Sequence, residues 1–510
     1  MKKLIIIVGM FVCIASNRLF AQIPGNLDSS FGVAGKVMSV FPDKCEEMYL
    51  VSQKRLSNGK FLTLVETYQT TLDNNYISTN YLVRMQADGS MDINFGQGGK
   101  TILSFGARTL LLQKDGKILL LGNNGDEIVV SQYSADGVID QSFGTAGIEY
   151  TGIFSFLRAA QLQEDGKILI GAAVMGNTRL LLGRLMADGS RDFSFGEDGI
   201  KLIDFSENNQ SEWISGINVL PDARILLTGI SYQNNIYYTT LLRLKSDGQA
   251  DSTFSSDGKH LVPFSIFFNY KTILHADEKI TIGGIYYYNN YANTGFIITR
   301  YLANGNADSS FGINGIRTGN AGGSKDFMGD FMIQTDGKIV AVGNSAGKFA
   351  LLRFSSNGNP DNTFSGDGKQ TTAFGSYQSN ANKVYQLDDG KILLTGTVQI
   401  NDSTNALAMA RYHSGINVWV QELKQLPEVK VYPNPVMNEL HIEYTLLNSE
   451  NMNISLHDLN GRIVKIMMQN EFRHAGIYHE YFDLDEEIPH GIYILRITQG
   501  NNYKSVRLVK

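Results

Sequence analysis

The chain has 510 residues, 43% of them apolar, enough for one large packed domain and one small one. Its 44 Lys and Arg against 50 Asp and Glu leave a net charge of −6, with no block of five like charges. This excludes the basic footprint of a nucleic-acid binder. A low charged fraction of 18%, with 52 glycines and only 9 prolines, points to many tight turns and few rigid kinks, the pattern of an all-β protein.

Lys2 and Lys3 form a short positive start, and Leu4 to Ala15 is a mostly apolar run. That is the layout of a secretory signal peptide, with cleavage expected between Ala21 and Gln22, so residues 1–21 are expected to leave. The run is too short to span a bilayer, so no transmembrane span is expected in the mature chain. Val12 stands before Cys13 where a lipoprotein signal would carry a small residue. Cys45 then remains as a lone thiol, read as a tolerated loop residue, and stability must come from packing rather than cross-links.

From residue 22 to 416 the chain repeats itself. An Asp-x-x-Phe anchor begins at Asp28, Asp92, Asp140, Asp192, Asp251, Asp308 and Asp361, with a mean spacing of about 55 residues. A second mark follows each anchor and reads Asp-Gly-Lys-Ile in its clearest copies, at Asp115, Asp165, Asp336 and Asp389. Asn58-Gly59-Lys60 is close to it, and the copies at Asp222 and Asp277 are degenerate. Asp-Gly between apolar runs closes a two-residue hairpin, because both central positions must accept positive φ. The third mark is an arginine eight residues before the next anchor: Arg84, Arg184, Arg243, Arg300 and Arg353, with Gln132 once in its place and Arg411 closing the last unit.

The first unit reads as strands over Lys36–Phe41, Tyr49–Leu56, Lys60–Tyr68 and Tyr81–Met85. Four short antiparallel strands, seven times over, have the size of a seven-bladed β-propeller. An open solenoid is the alternative, but it must cap two terminal sheet faces that a ring hides. The last unit stops at Arg411-Tyr412 and the first begins at an anchor, so the two ends complement each other. These marks resemble the delta-60 repeat family over residues 25–416. The resemblance implies propeller architecture and no particular activity.

The repeat is lost over 417–430, read as a linker. Short strands and turns then fill residues 431–510, read as a small immunoglobulin-like β-sandwich. Tyr432-Pro433-Asn434-Pro435, Asp458-Leu459-Asn460-Gly461-Arg462, Gly491-Ile492-Tyr493 and the terminal Lys510 resemble together the type A sorting domain of type IX secretion. That resemblance implies export, then handling of the tail by the secretion machinery at the outer membrane, with the cargo released or attached to the surface. Pro433, Asn434, Pro435, Gly461, Gly491, Tyr493 and Lys510 carry the motif.

No catalytic or metal-binding pattern emerges. There is no His-Glu-x-x-His motif and no Gly-x-Ser-x-Gly in a strand–turn–helix context, and no cofactor is implied. Nine residues after each anchor stand Val37, Thr101, Glu149, Lys201, His260, Arg317 and Gln370. These would ring the central channel if the first strand of each unit lined it, which would suit a polysaccharide-active enzyme. The preferred reading is a binding protein. The regular Asp-Gly turns share one face of a propeller, so the irregular loops share the other, where function concentrates. Three of these, read as third–fourth strand loops, are rich in tyrosine: Tyr68 and Tyr76; Tyr232, Tyr237 and Tyr238; Tyr286, Tyr287, Tyr288 and Tyr291. A tyrosine ring offers a flat apolar face with a polar tip, suited to a glycan or a surface protein.

Overall fold

The computed structural model describes residues 23–416 and 429–510, apart from 72, 74, 175–178, 206–211, 234–235, 256, 263–265, 289–291, 447–448, 459–462, 485–487 and 500–501. The N-terminal segment read as a signal peptide lies outside the described residues. The chain divides into two compact units between Ile416 and Asn417.

In the first unit every strand pairing is antiparallel. A representative sheet runs Glu47–Arg55, Phe61–Thr70, Tyr76–Met85 and Lys100–Leu103 in spatial order. The same order recurs through the repeats. One long strand, Ile148–Leu162, serves two of them: its first half pairs with Glu127–Tyr133 and its second with Ile168–Val174, which fuses two repeat sheets into one of seven strands.

The strand that follows each anchor is the outer strand of the preceding sheet, not the first strand of its own. The sequence reading was therefore one strand out of phase. Lys36–Val40 shows the consequence, since it pairs with Thr404–Tyr412 at the far end of the repeats. The first strands, Glu47–Arg55, Gly106–Leu112, the second half of Ile148–Leu162, Glu212–Val219, Ile266–Leu274, Asp326–Ile333 and Gln378–Gln386, are the inner ones. Each packs beside the next, and the last beside the first. Apolar clusters lie between successive sheets, including one that joins Leu50 and Val65 to Leu393 and Met409.

The repeated residues converge on one structure. In six units the arginine Nε lies 2.6–2.8 Å from the anchor carboxylate. The same guanidinium sits 4.4–4.8 Å above the anchor phenylalanine ring. In five of the six it also donates to a carbonyl in the next unit's turn, as Arg84 does to Ala135 and Arg300 to Ser356. Where Gln132 replaces the arginine, Lys117 takes over, 2.8 Å from Asp140. The glycine of the next turn is required twice. Gly137 and Gly305 have positive φ, and a Cβ there would fall 2.4 Å from Phe95 and 2.7 Å from Phe254. The anchor phenylalanine thus wedges against the neighbouring sheet's turn.

All seven anchor carboxyls are held below the ordinary range. At six of them burial is the largest influence and opposes this, but it is outweighed by Lys or Arg and, except at Asp92, by Ser or Thr hydrogen bonds. At Asp140 the Lys117 ammonium is the leading cause and the value falls to about 2. A lowered folded pKa contributes stability that is complete above the unfolded value near 4 and is lost as pH falls through the folded value. We therefore expect circular dichroism to show a flat plateau at neutral pH and cooperative unfolding only as pH drops from about 4 toward 2 and below. A melting temperature that does not change down to pH 2 would contradict this.

The second unit holds two sheets. Val429–Tyr432, Glu439–Leu446 and Gly476–Asp483 form one. Ile463–Arg473, Glu450–His457, Ile492–Gln499 and Asn502–Val509 form the other. Alternate residues of both, among them Leu440, Ile442, Tyr444, Ile454, Leu456, Leu495 and Ile497, fill one shared core. The strand Val429–Tyr432 begins inside the stretch read as a linker.

Candidate functional site

Each inner strand carries a bulge at the same place, where two of its residues face one on the second strand. The bulge resets which side chains look outward. In Glu47–Arg55, Met48, Leu50 and Gln53 are buried, whereas Tyr49 and Lys54 are exposed. Two residues before the bulge, at one register position, stand Tyr49, Phe156, Trp213 and Phe327. Tyr49, Phe156 and Phe327 are 51%, 41% and 44% exposed, which is unusual for large apolar side chains on strands. Sequence reasoning missed this set. Its signal was an aromatic residue nine positions before the hairpin at Asn58, Asp165, Asp222 and Asp336.

These aromatics lie at the end of the inner strands that adjoins the irregular loops. Those loops join second to third strands, as Phe61–Thr70 to Tyr76–Met85 shows, and not third to fourth. The grouping of faces is unaffected, because both descriptions put the Asp-Gly turns opposite them. Tyr68 and Tyr76 stack with ring centroids 5.2 Å apart, and Tyr49 meets Tyr68 edge-on at 5.8 Å. Tyr49 donates its hydroxyl hydrogen bond to Glu47, which raises its pKa to about 12, with burial adding to the effect. Beside this cluster a groove of about 200 Å³ runs between the first and last sheets, lined by Glu46, Glu47, Gln378, Asn380, Thr397 and Gln399.

In the second tyrosine loop, Tyr238 is half-buried, and the side chains of Tyr232 and Tyr237 lie outside the described residues. In the third, Tyr286 and Tyr288 stack at 5.4 Å, Tyr287 is half-buried, and Tyr291 lies outside the described residues. Asn320 donates to the Tyr288 hydroxyl.

The positions nine residues after each anchor do not line the inner strands. Val37, Thr101, Glu149, Lys201, His260, Arg317 and Gln370 all lie on outer-strand pairings. Burial lowers the His260 pKa and raises that of Glu149, but the two stand on different sheets and form no acid–base pair. Cys45 is likewise not a loose loop residue. It is 2% exposed at the junction of the first and last sheets, and burial raises its thiol pKa.

In the second unit the motif residues meet. The Asn434 side chain donates to the Arg507 carbonyl at 2.7 Å and accepts from the Val509 amide at 2.9 Å. Gly491 and Lys510 exchange backbone hydrogen bonds at 2.9 and 3.0 Å, and the Lys510 ammonium donates to Ile488. The Tyr493 hydroxyl donates to Pro489. Pro433 and Pro435 flank Asn434 in the segment tied to the last strand; Gly461 lies outside the described residues.

No curated protein matches the chain. Among solved structures it is similar to prolyl oligopeptidase B from Galerina marginata bound to a 35-residue hydrolysis and macrocyclization substrate. The identity is 12% and the TM-score 0.39, over 78% of this chain and 55% of that one. Acylaminoacyl peptidase from Pyrococcus horikoshii gives 10% identity and a TM-score of 0.38, over 80% of this chain and 60% of that one. The chain thus spans little more than half the length of these proteins. A family described as a domain of unknown function (DUF5122) beta-propeller matches residues 163–195, 220–254, 275–311 and 334–364. A secretion system C-terminal sorting domain matches residues 430–510. Segments of the chain thus match a DUF5122 beta-propeller family, and its tail matches a type IX secretion C-terminal sorting domain, which marks it for export to the cell surface or beyond.

Proposed function

We propose that residues 22–416 form a seven-bladed propeller, that 417–430 link it to an immunoglobulin-like sandwich at 431–510, and that the exported protein binds a glycan on its irregular face. Residues 1–21 serve as the signal peptide in this reading. The pairing of Lys36–Val40 with Thr404–Tyr412 and the circuit of inner strands support the ring. The observation that carries the binding reading is the joined Tyr49, Tyr68 and Tyr76 cluster beside a groove of amide, hydroxyl and carboxylate groups. Aromatic faces stack on sugar rings while such polar groups fix the hydroxyls.

The test is a glycan array probed with the purified protein, the Tyr49→Ala/Tyr76→Ala variant and the Tyr286→Ala/Tyr287→Ala variant. We expect a glycan signal from the parent that falls at least tenfold, about 1.4 kcal/mol, in the first variant. A folded parent that binds no glycan removes the carbohydrate reading and turns attention to a surface protein on the same face.

A further inference from the structure

The inner strands also bring together charges from distant parts of the chain. Lys271, Asp330 and Lys383 occupy the register position just after the bulge in three of them. Lys54 and Tyr385 stand two residues further along in two. Lys271 Nζ lies 3.0 Å from Asp330 Oδ1 and donates to the Phe331 carbonyl. Asp330 is already committed, since its oxygens accept the Phe331 and Val384 amides at 2.8 and 3.2 Å. Neither Lys54 nor Lys383 has a carboxylate within ion-pair distance among the described residues.

The three amines come from the first, fifth and seventh units, and their inner strands and that of Asp330 follow one another around the circuit. Burial, and then the charges of Lys383 and Lys271, push the Lys54 ammonium below its ordinary pKa. Lys54 is nonetheless exposed to water, so an ion in solution can reach it. On the strand that carries Lys383, the Tyr385 hydroxyl and the Asn382 side-chain oxygen are buried with no hydrogen-bond partner among the described residues. Three ammonium groups and one carboxylate leave a local charge of +2 in a chain whose net charge is −6. A cluster built only for stability would pair its charges, because uncompensated like charges in an enclosed site are costly.

We infer that this cluster is an anion site, taking a carboxylate, sulfate or phosphate group, either as a free oxyanion or as the acidic substituent of a saccharide. The Lys54 and Lys383 ammoniums and the Tyr385 hydroxyl donate to the anion, while Asp330 fixes Lys271. The site is separate from the tyrosine groove, and the Tyr49→Ala/Tyr76→Ala variant keeps it.

The experiment is calorimetric titration of the purified protein at fixed ionic strength with sodium sulfate, sodium phosphate, digalacturonate and a neutral disaccharide. Saturable binding of at least one anion, and none of the neutral sugar at this site, is expected. Binding of the inorganic ions identifies a free oxyanion site; binding of digalacturonate alone identifies an acidic saccharide. Lys54→Gln/Lys383→Gln should weaken the anion at least tenfold, and Tyr385→Phe severalfold. Lys201→Gln, on an outer strand, should leave it unchanged. If the double variant melts early, Lys54→Gln and Tyr385→Phe singly carry the comparison. Absence of saturable binding by every anion to the parent overturns the inference, as does equal affinity in folded Lys54 and Tyr385 variants.

Discussion

A chain shortened to begin at Pro42 will not give a cooperative unfolding transition near that of the parent. The deleted stretch supplies the outer strand Lys36–Val40 to Thr404–Tyr412. It supplies Asp28, whose carboxylate pairs with Arg411 at 2.8 Å and Lys391 at 3.1 Å. Phe31 under the Arg411 guanidinium and the buried Phe41 leave with it. Breaking a buried pair costs roughly 3–5 kcal/mol, and each buried phenylalanine about 1.5–3 kcal/mol. Together these approach the whole stability of a typical domain, about 5–15 kcal/mol. The loss also bares a strand edge, so aggregation should accompany it. Differential scanning calorimetry and light scattering measure both, and a synthetic peptide of residues 22–41 added in trans should restore part of the transition. A truncated protein that melts within a few degrees of the parent would show that the ends contribute no closure.

Asp361→Ala should be the most damaging single change among the repeated residues. Arg353 is 1% exposed, its Nε lies 2.8 Å from Asp361, and its other nitrogens face Ser414 and Thr363. Removing the carboxylate strands a guanidinium whose pKa burial already lowers. We expect a loss of roughly 3–5 kcal/mol and a melting temperature lower by on the order of 5–10 °C. The double change Arg353→Met/Asp361→Leu should recover much of this, because an apolar pair of similar size needs no desolvation of charge. The contrast matters more than either value. If the double variant is as unstable as the single one, the pair's geometry, and not the orphaned charge, is what the fold requires.

Much of this protein was legible without coordinates. The seven anchors, the Asp-Gly hairpins and the sorting motif announce themselves because local sterics dictate them: positive φ selects glycine, and a two-residue turn fixes its flanking strands. Repetition then amplified each weak local signal. The meeting of Asp, Arg and Phe was partly visible from their constant offsets, but its cross-sheet reach to the next turn was not.

What the tertiary structure alone decided concerns parity and neighbourhood. Nothing local says whether the strand after Asp28 belongs to its own sheet or to one that begins some 350 residues later; the pairing with Thr404–Tyr412 settles it. That one-strand shift moved Glu149 and His260 to outer strands and put Tyr49 and Lys54 on inner ones. Alternation along a strand specifies two faces without saying which one is buried, and the bulge in each inner strand inserts a residue that resets the count. The repeats are therefore written in the sequence, whereas the meeting of Lys54, Lys271, Asp330 and Lys383 exists only once distant strands are brought side by side.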